Sequence, residues 1–301
     1  MIAASPAEFA GAVDRLEEAG VDSLWLQEMV FGSQIEPFVG MAHALSRTSR
    51  LKVGTGVSVL PGRHPVLVAK QLASLAGLAP GRVLPVFGLR PARDRERAVF
   101  AVPAGRRAAV FDESLELLRL LLSQETVSFA GEFFSVDSAS VGPLPVKALD
   151  IWLGGSAPGA LRRIGRFGDG WLASFVTPDE ARAGREAIQA AAADAGREVD
   201  PEHFGISLAV VAGGAAAGES AGVARGGVAA GIPAELAAAV HRRRPGTDPA
   251  SLVATSWPGA RQMIEKYVAA GLSKFVVRPA VPAPFGPFLE DFVREMMPLQ
   301  T

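Results

Sequence analysis

The 301-residue sequence has no cysteine and only four histidines, and its 30 basic residues nearly balance its 31 acidic ones. Without cysteine there is no disulfide, no thiolate metal site and no cysteine nucleophile. The histidines are scattered along the chain, which argues against a multi-histidine site, so we predict no bound metal. A formal net charge of −1 gives no electrostatic basis for binding nucleic acid or an acidic membrane surface.

Long apolar runs and acyl-hydrolase motifs are also missing. No apolar stretch is long enough to span a bilayer, and no signal-peptide pattern is present, so we expect a cytoplasmic protein. Neither a Ser-His-Asp order nor a GxSxG elbow appears, which argues against an acyl hydrolase. The chain is nevertheless 49% hydrophobic, enough for a sizeable core.

Residues 51–90 have the pattern of a strand, a helix and a second strand. The first apolar run is Leu51–Leu60, a helix starts at Pro65, and Val83–Leu89 forms the second run. Elements of this length form a right-handed parallel crossover. In parallel α/β folds, chemistry gathers where strands end, so the GRHP and GLRP loops are candidate site loops.

Seven predicted strands alternate with helices, at residues 21–26, 51–60, 83–89, 150–153, 170–175, 204–212 and 274–278. This order predicts an α/β fold, a TIM (βα)8-type barrel formed by one domain over residues 1–301. The first predicted helix begins near Ser5, which leaves only Met1–Ala4 before it. We therefore expect the first barrel strand to be missing or disguised.

Two segments depart from the repeat. Residues 91–149 are predicted to be an insertion, with a helix at Val110–Leu122 and a hairpin at 127–136 that turns at Ala130-Gly131. Residues 213–250 begin with an Ala/Gly-rich tract and include a basic loop at His241–Thr247. We interpret them as a mobile surface segment and a candidate lid.

Two loops could hold an anion. Gly154, Gly155 and Ser156 follow a buried strand and open a helix, where free N–H groups favour negative charge. The alternative is a tight turn with Ser156 as an ordinary N-cap. Arg90 ends another strand and could bind a phosphate, or it could form a salt bridge with Glu28 or Asp94.

Three further positions have two interpretations each. The glycine of Gly56-Val57 marks either a bulge at a ligand or a crowded barrel position. Glu28 could be a catalytic acid or base, or a solvated rim charge, and we favour the rim slightly. His64 could protonate a substrate or simply cap the following helix, and capping is the commoner case.

The sequence resembles the bacterial luciferase-like flavin and deazaflavin oxidoreductases. The matching segments follow the family's order along almost the whole chain: SPAEFAGAVDRLEEAGVDSLWLQE, RLKVGTGVSVLPGRHPVLVAKQLASLAGLAPGRV, RRAAVFDESLELLRLLL, DIWLGGSAPGALRRIGRFGDGW and KYVAAGLSKFVVRP. The likeness is greatest to the branch that uses coenzyme F420, a deazaflavin with a phosphate-bearing tail.

By position, the resemblance implies a non-prolyl cis peptide at Gly56-Val57 that supports the cofactor ring, with Arg90, Gly154, Gly155 and Ser156 holding its phosphate. It implies hydride transfer between F420 and a small organic substrate, and a homodimer. Several F420 enzymes carry a histidine just after the second strand, where this chain has Gln27-Glu28-Met29, so the family's histidine is absent. Glu28 and His64, taken from their own positions, are the candidate catalytic residues. The alternatives are an FMN-dependent monooxygenase of the same family and a degenerate, non-catalytic barrel.

Overall fold

The computed structural model describes residues 6–211, 232–281 and 283–300. They belong to two compact units. The larger unit covers residues 2–172 and 187–200, and the smaller covers 173–186 and 201–301. The predicted start of the first helix at Ser5 and the question of a first strand at Met1–Ala4 lie outside the described residues.

The larger unit contains parallel strands joined by helices. Its strands are β1 (Ser23–Leu26), β2 (Lys52–Thr55), β3 (Ser58–Val59), β4 (Val83–Leu84), β5 (Val86–Gly88), the hairpin strands β6 (Val127–Ala130) and β7 (Ser135–Ala139), β8 (Trp152–Gly154) and β9 (Gly170–Ser174), whose last two residues belong to the smaller unit. Strand β2 pairs in parallel with β1 and β4, whereas β5 pairs with β3 and β8.

The helices of this unit are α1 (Pro6–Glu18), α2 (Pro37–Arg47), α3 (Pro65–Leu78), α4 (Arg107–Ser123) and α5 (Pro158–Phe167), and α6 (Pro178–Asp194) runs from the smaller unit into it. Helix α3 shows why these segments are helical. Pro65 provides its first residue, and its buried side chains recur at three- and four-residue spacing: Val68, Ala69, Leu72, Leu75 and Ala76. Helix α4, which we predicted within an insertion, joins the parallel strands β5 and β8.

The smaller unit is built on β10 (Phe204–Val210), which pairs in parallel with β11 (Val253–Ala254) and with β12 (Lys274–Pro279). Its helices are α7 (Ala234–Arg243), α8 (Trp257–Ala269) and α9 (Phe285–Glu295). Apolar side chains from β10, α8 and the chain end pack together, among them Leu208, Val210, Trp257, Ile264 and Met296. None of the helices in the described residues is long and apolar enough to cross a membrane.

The sequence-based strands are largely confirmed, with two differences. The predicted runs 51–60 and 83–89 are each broken in two, the first at Gly56-Val57 and the second at Pro85, which has no N–H for the ladder. Strand β11 was not predicted, because its two residues are too few to form a pattern.

The proposed mobile segment at 213–250 is also corrected in part. Residues 212–231 lie outside the described residues, but 234–243 form helix α7, so the basic run after His241 begins inside a helix. The helix-favouring composition AELAAAV explains it. The hairpin of β6 and β7 is confirmed, with the Gly131 N–H donating to the Phe134 carbonyl at 2.9 Å.

Candidate functional site

Strands β2 and β3 are separated by a break at Gly56-Val57. The Gly56–Val57 peptide bond is cis, as the resemblance implied. Gly56 and Val57 are half-buried, while Thr55 and Ser58 on either side are fully buried. The Thr55 hydroxyl donates to the Val86 carbonyl at 2.7 Å and accepts from the Val86 N–H at 2.8 Å. This side chain therefore bridges the two strands next to the break, where Gly56 and Val57 are partly exposed.

Val57 lies between two glycines of neighbouring strands. A Cβ added at Gly88 would lie 2.7 Å from Val57 Cγ2, and one at Gly154 would lie 3.3 Å from Val57 Cγ1. Real Cβ atoms do not approach as closely as the first of these distances, so Gly88 must lack a side chain for Val57 to occupy its place. The structure thus brings together the predicted site residues Val57 and Gly154.

The turn after β8 presents backbone N–H groups. Gly155 has φ +118°, a conformation that glycine adopts readily, and its carbonyl accepts from Trp171 Nε1 at 2.8 Å. In a trans peptide the C=O and N–H groups point in opposite directions, so the Ser156 N–H points away from Trp171. Helix α5 follows with Ala157 at its N-cap and no side-chain capping bond. The alternative role of Ser156 as a capping residue is therefore wrong.

Arg90 is exposed, and neither of its two proposed salt-bridge partners pairs with it. Glu28 pairs with Arg63, and Asp94 pairs with Arg97 at 2.7 Å. Phe87 and Leu153 are opposite each other in the parallel β5–β8 pair, so Arg90 and Ser156 each stand three residues beyond the same register pair. Neighbouring strands lie about 5 Å apart, so the two loops leave the sheet from adjacent strands.

Positive charge accumulates around Arg90. Arg107 donates from Nη2 to the Phe100 carbonyl at 2.6 Å, but its buried Nη1 has no hydrogen-bond partner. Burial lowers the pKa of Arg107, and the charges of Arg90 and Arg97 lower it further. Three guanidinium groups thus influence one another, and an anion would relieve both the repulsion and the unsatisfied N–H.

Glu28 is not a rim charge. Its side chain is only 3% exposed, and it accepts a hydrogen bond from the Val59 N–H at 2.8 Å and pairs with Arg63. Burial raises the pKa of Glu28, while the Val59 N–H and Arg63 oppose that rise. The interpretation as a solvated rim group is therefore wrong. The carboxylate joins the end of β1 to the residues just after the Gly56-Val57 break.

His64 caps helix α3. Its Nδ1 accepts from the Val66 N–H at 3.4 Å, and its ring meets the edge of Phe134 with ring centroids 5.4 Å apart. The capping interpretation is confirmed, and the imidazole is exposed. Within the described ranges, no group of three or more His, Asp and Glu side chains could hold a metal ion.

Four residues that shape this region were not predicted from the sequence: Arg63, Thr55, Gly88 and Arg107. Arg63 stands in the GRHP loop that was already marked, and Thr55 directly precedes the predicted bulge. A local signal was therefore present for both. The role of Gly88 depends on a contact with another strand, and that of Arg107 on an unsatisfied nitrogen, and neither leaves a local pattern.

An uncharacterized protein of Mycobacterium tuberculosis is 38% identical over 146 residues, which are 48% of this chain and 50% of the relative. An F420-dependent glucose-6-phosphate dehydrogenase of Kineococcus radiotolerans is 30% identical over 176 residues, 56% of this chain and 52% of that enzyme. The chain thus spans about half the length of these curated relatives.

A solved structure of an F420-dependent secondary alcohol dehydrogenase, in complex with an F420–acetone adduct, matches 98% of this chain and 96% of its own. Its TM-score is 0.77 at 16% sequence identity, which shows a common fold. The predicted α/β luciferase-like barrel fold is thereby confirmed. The luciferase-like monooxygenase family matches residues 2–262 as well. The chain belongs to the luciferase-like monooxygenase family.

Proposed function

We propose that this protein is an F420-dependent oxidoreductase that transfers a hydride between F420 and a small organic substrate. The dehydrogenase of Kineococcus radiotolerans, whose name specifies F420, supports this choice of cofactor over FMN. When bound, F420 supplies the ring carbon that gains or gives up the hydride. The protein's part is to bind the cofactor, to orient the substrate and to exclude water.

The observation that carries the proposal is the contact between Val57 and Gly154, with the Ser156 N–H next to it. The half-buried Gly56-Val57 segment and the turn that follows β8 are therefore close together. These are the two features that a phosphorylated ring compound requires. We propose that Gly56 and Val57 support the ring face, and that Gly154, Gly155 and Ser156 bind the phosphate.

Arg90 is the proposed charged partner of that phosphate. It has no ion pair among the described residues, and it stands level with Ser156 in the strand register. A guanidinium forms paired hydrogen bonds to phosphate oxygens, and charge-assisted bonds of this kind are about twice as strong as neutral ones. The unsatisfied Nη1 of Arg107 adds positive potential on the same side.

We propose different roles for the two candidate catalytic residues. Because His64 Nδ1 accepts from the backbone, its proton lies on Nε2, which is free to donate to a substrate oxygen. Glu28 acts as a positioning residue, because its carboxylate holds Arg63 and the Val59 N–H just after the break. The proposed proton donor therefore lies at the start of α3.

We further propose a cytoplasmic homodimer acting on a small molecule. Helices α2 and α3 expose large apolar side chains, with Val39 63% and Leu67 66% exposed. Exposed apolar residues on adjacent secondary elements favour contact with a second copy. Light scattering would then give a mass of twice the 31.3 kDa of the chain.

The proposal is tested by titrating the purified protein with F420 and, separately, with FMN, following absorbance and fluorescence. We expect F420 to bind more tightly. Arg90→Ala should weaken F420 binding about tenfold, because a charge-assisted hydrogen bond to phosphate is lost. Ser156→Asp should weaken it more, because a carboxylate repels the phosphate.

Two matched variants serve as controls. Ser156→Ala keeps the backbone N–H and should change the affinity less than threefold (about 0.6 kcal/mol). Arg50→Ala removes the same charge at the opposite, amino end of β2, where Arg50 is exposed, and should have no effect. Equal F420 affinity in all four variants would remove the phosphate-site assignment. FMN binding without F420 binding would replace the oxidoreductase proposal with an FMN-dependent monooxygenase.

A further inference from the structure

Two arginines of the smaller unit share one aromatic ring. The guanidinium carbon of Arg243 lies 4.8 Å from the centroid of the Phe175 ring, and that of Arg278 lies 5.9 Å from it. Arg278 Nε also donates to Ser207 Oγ at 3.3 Å. No carboxylate among the described side chains pairs with either arginine.

The nearby carboxylate is already engaged. Glu180 pairs with Arg244, and it also accepts from the Thr177 N–H at 2.8 Å. Arg244 in turn donates to the Phe175 carbonyl at 3.3 Å. These bonds hold the Phe175 backbone, which has φ +54°, an uncommon value for a residue with a side chain. The ring is therefore fixed, while the two guanidinium groups beside it keep unpaired charge.

This arrangement is costly without a counter-ion. Arg278 is half-buried, and burial lowers its pKa, with a further contribution from the charge of Arg243. Like charges that approach each other in a partly desolvated place repel more strongly than they do in water. Arg243 remains exposed, so an ion from solution can reach the pair.

The location agrees with a ligand site. Phe175 directly follows β9, and Arg278 is the last residue but one of β12, which runs parallel to β10. Both therefore stand where strands end at their carboxyl side, the end at which parallel α/β folds bind ligands.

We propose that Arg243 and Arg278 bind an oxyanion, the phosphate or carboxylate group of a small molecule, with Phe175 as the platform that holds the two guanidinium groups. Ser207 orients Arg278, because its hydroxyl accepts a hydrogen bond from Arg278 Nε. The site lies within the smaller unit, whereas every residue proposed to hold F420 lies in the larger one, so this inference goes beyond the cofactor proposal.

The test is calorimetric titration of the full chain, without F420 and at constant ionic strength, with inorganic phosphate and with acetate. We expect saturable binding of one anion per chain at this pair. The titrations are repeated in Arg90→Ala, which weakens the proposed cofactor-phosphate site, and the affinity of the Arg243–Arg278 pair should be unchanged there. Arg243→Gln and Arg278→Gln should each weaken it at least tenfold. Tighter binding of phosphate would identify a phosphoryl group as the ligand chemistry, and tighter binding of acetate would identify a carboxylate.

The control is Arg242→Gln. It removes the same charge from the neighbouring exposed residue of α7. The cation–π contacts of Phe175 among the described residues are with Arg243 and Arg278, so this change should alter the affinity less than twofold. Because Arg278 lies in a strand, Arg278→Lys is included. It keeps the charge but loses the planar fork, and should also weaken binding while the thermal unfolding midpoint stays near that of the wild type. Absence of saturable binding to the wild type, or equal affinities of the Arg242, Arg243 and Arg278 variants, would overturn the proposal.

Discussion

Glu28 in the larger unit is a buried charge and Arg278 in the smaller unit is a half-buried one, and the two are balanced differently. Glu28 has a guanidinium partner and a backbone N–H. Arg243 and Arg278 have one aromatic ring and one hydroxyl between them. A buried charge with its partner present holds the structure in place. An arginine that has no such partner indicates that an anion from solution balances its charge.

The strands near these charges also differ between the two units. In the smaller unit, β10 and β12 pair without interruption from Gly205 to Val210. In the larger unit, the chain breaks between β2 and β3 at Gly56-Val57. Next to this break the Thr55 hydroxyl, and not the backbone, forms the hydrogen bonds to Val86 of β5. The uninterrupted pair carries the side chains of the proposed anion site, whereas at the break we propose that the backbone itself contacts the cofactor.

Removing the partner of Glu28 should have the largest effect on stability. Arg63→Met leaves the carboxylate buried and unpaired, so we expect the free energy of unfolding in urea to fall by about 3 kcal/mol. Arg63 opposes the burial that raises the pKa of Glu28, so its loss raises that pKa further. A carboxyl with a raised pKa destabilises the fold once ionised, and the deficit should therefore shrink as the pH falls.

The matched variant is the double change Glu28→Gln with Arg63→Met. It removes the charge that Arg63→Met leaves behind, so it should recover part of the lost stability. A loss below about 1 kcal/mol in Arg63→Met, independent of pH, would show that Glu28 and Arg63 behave as an ordinary surface pair.

A carboxylate introduced beside Arg278 should give this arginine an internal ion-pair partner, as Glu28 has in Arg63. Ser207→Asp places an acid where a hydroxyl now lies 3.3 Å from Arg278 Nε. We expect the phosphate affinity measured by calorimetry to drop at least tenfold, because the internal carboxylate competes with the ion. Ser207→Ala, which adds no charge, should lower it far less. Equal losses in the two variants would contradict a role for charge in this site.

The smallest predicted effect on stability comes from a buried hydroxyl that is neutral and hydrogen-bonded. Tyr267, the one tyrosine of the chain, donates to the Val176 carbonyl at 2.7 Å. Burial raises its pKa to about 12, and the charge of Glu180 adds to the rise. Its contribution to stability is present below the ordinary tyrosine pKa of about 10 and is lost as the pH rises toward 12.

The ultraviolet absorbance of the phenolate reports this group alone, because no other tyrosine is present. The folded protein should titrate near 12, and the urea-unfolded chain near 10. Titration of the folded protein near 10 would contradict the burial of Tyr267.

Most of the fold was predictable because its signals are local. Apolar runs marked all seven expected strands, and Pro65 marked the start of α3. Helix α7 was missed because it adjoins an Ala/Gly-rich tract, which drew attention away from the helix-favouring residues at 234–240. The role of α4 as a crossover helix depends on the pairing of β5 with β8, which no local pattern encodes.

The candidate site was predictable in part. Glycines and a cationic strand end marked Gly56, Gly154 and Arg90, and the resemblance supplied the cis peptide. The burial of Glu28 and its pairing with Arg63 were not visible, because residues 35 positions apart meet only in the fold. The Arg243–Arg278 pair lay outside the prediction for the same reason.

The most direct test of the account is a crystal structure of the protein with F420 bound. We predict the phosphate oxygens within about 3 Å of the Ser156 N–H and of the Arg90 guanidinium, with the ring against the Gly56-Val57 backbone. A cofactor bound with its phosphate away from both groups, or with its ring away from Gly56-Val57, would contradict the central claim.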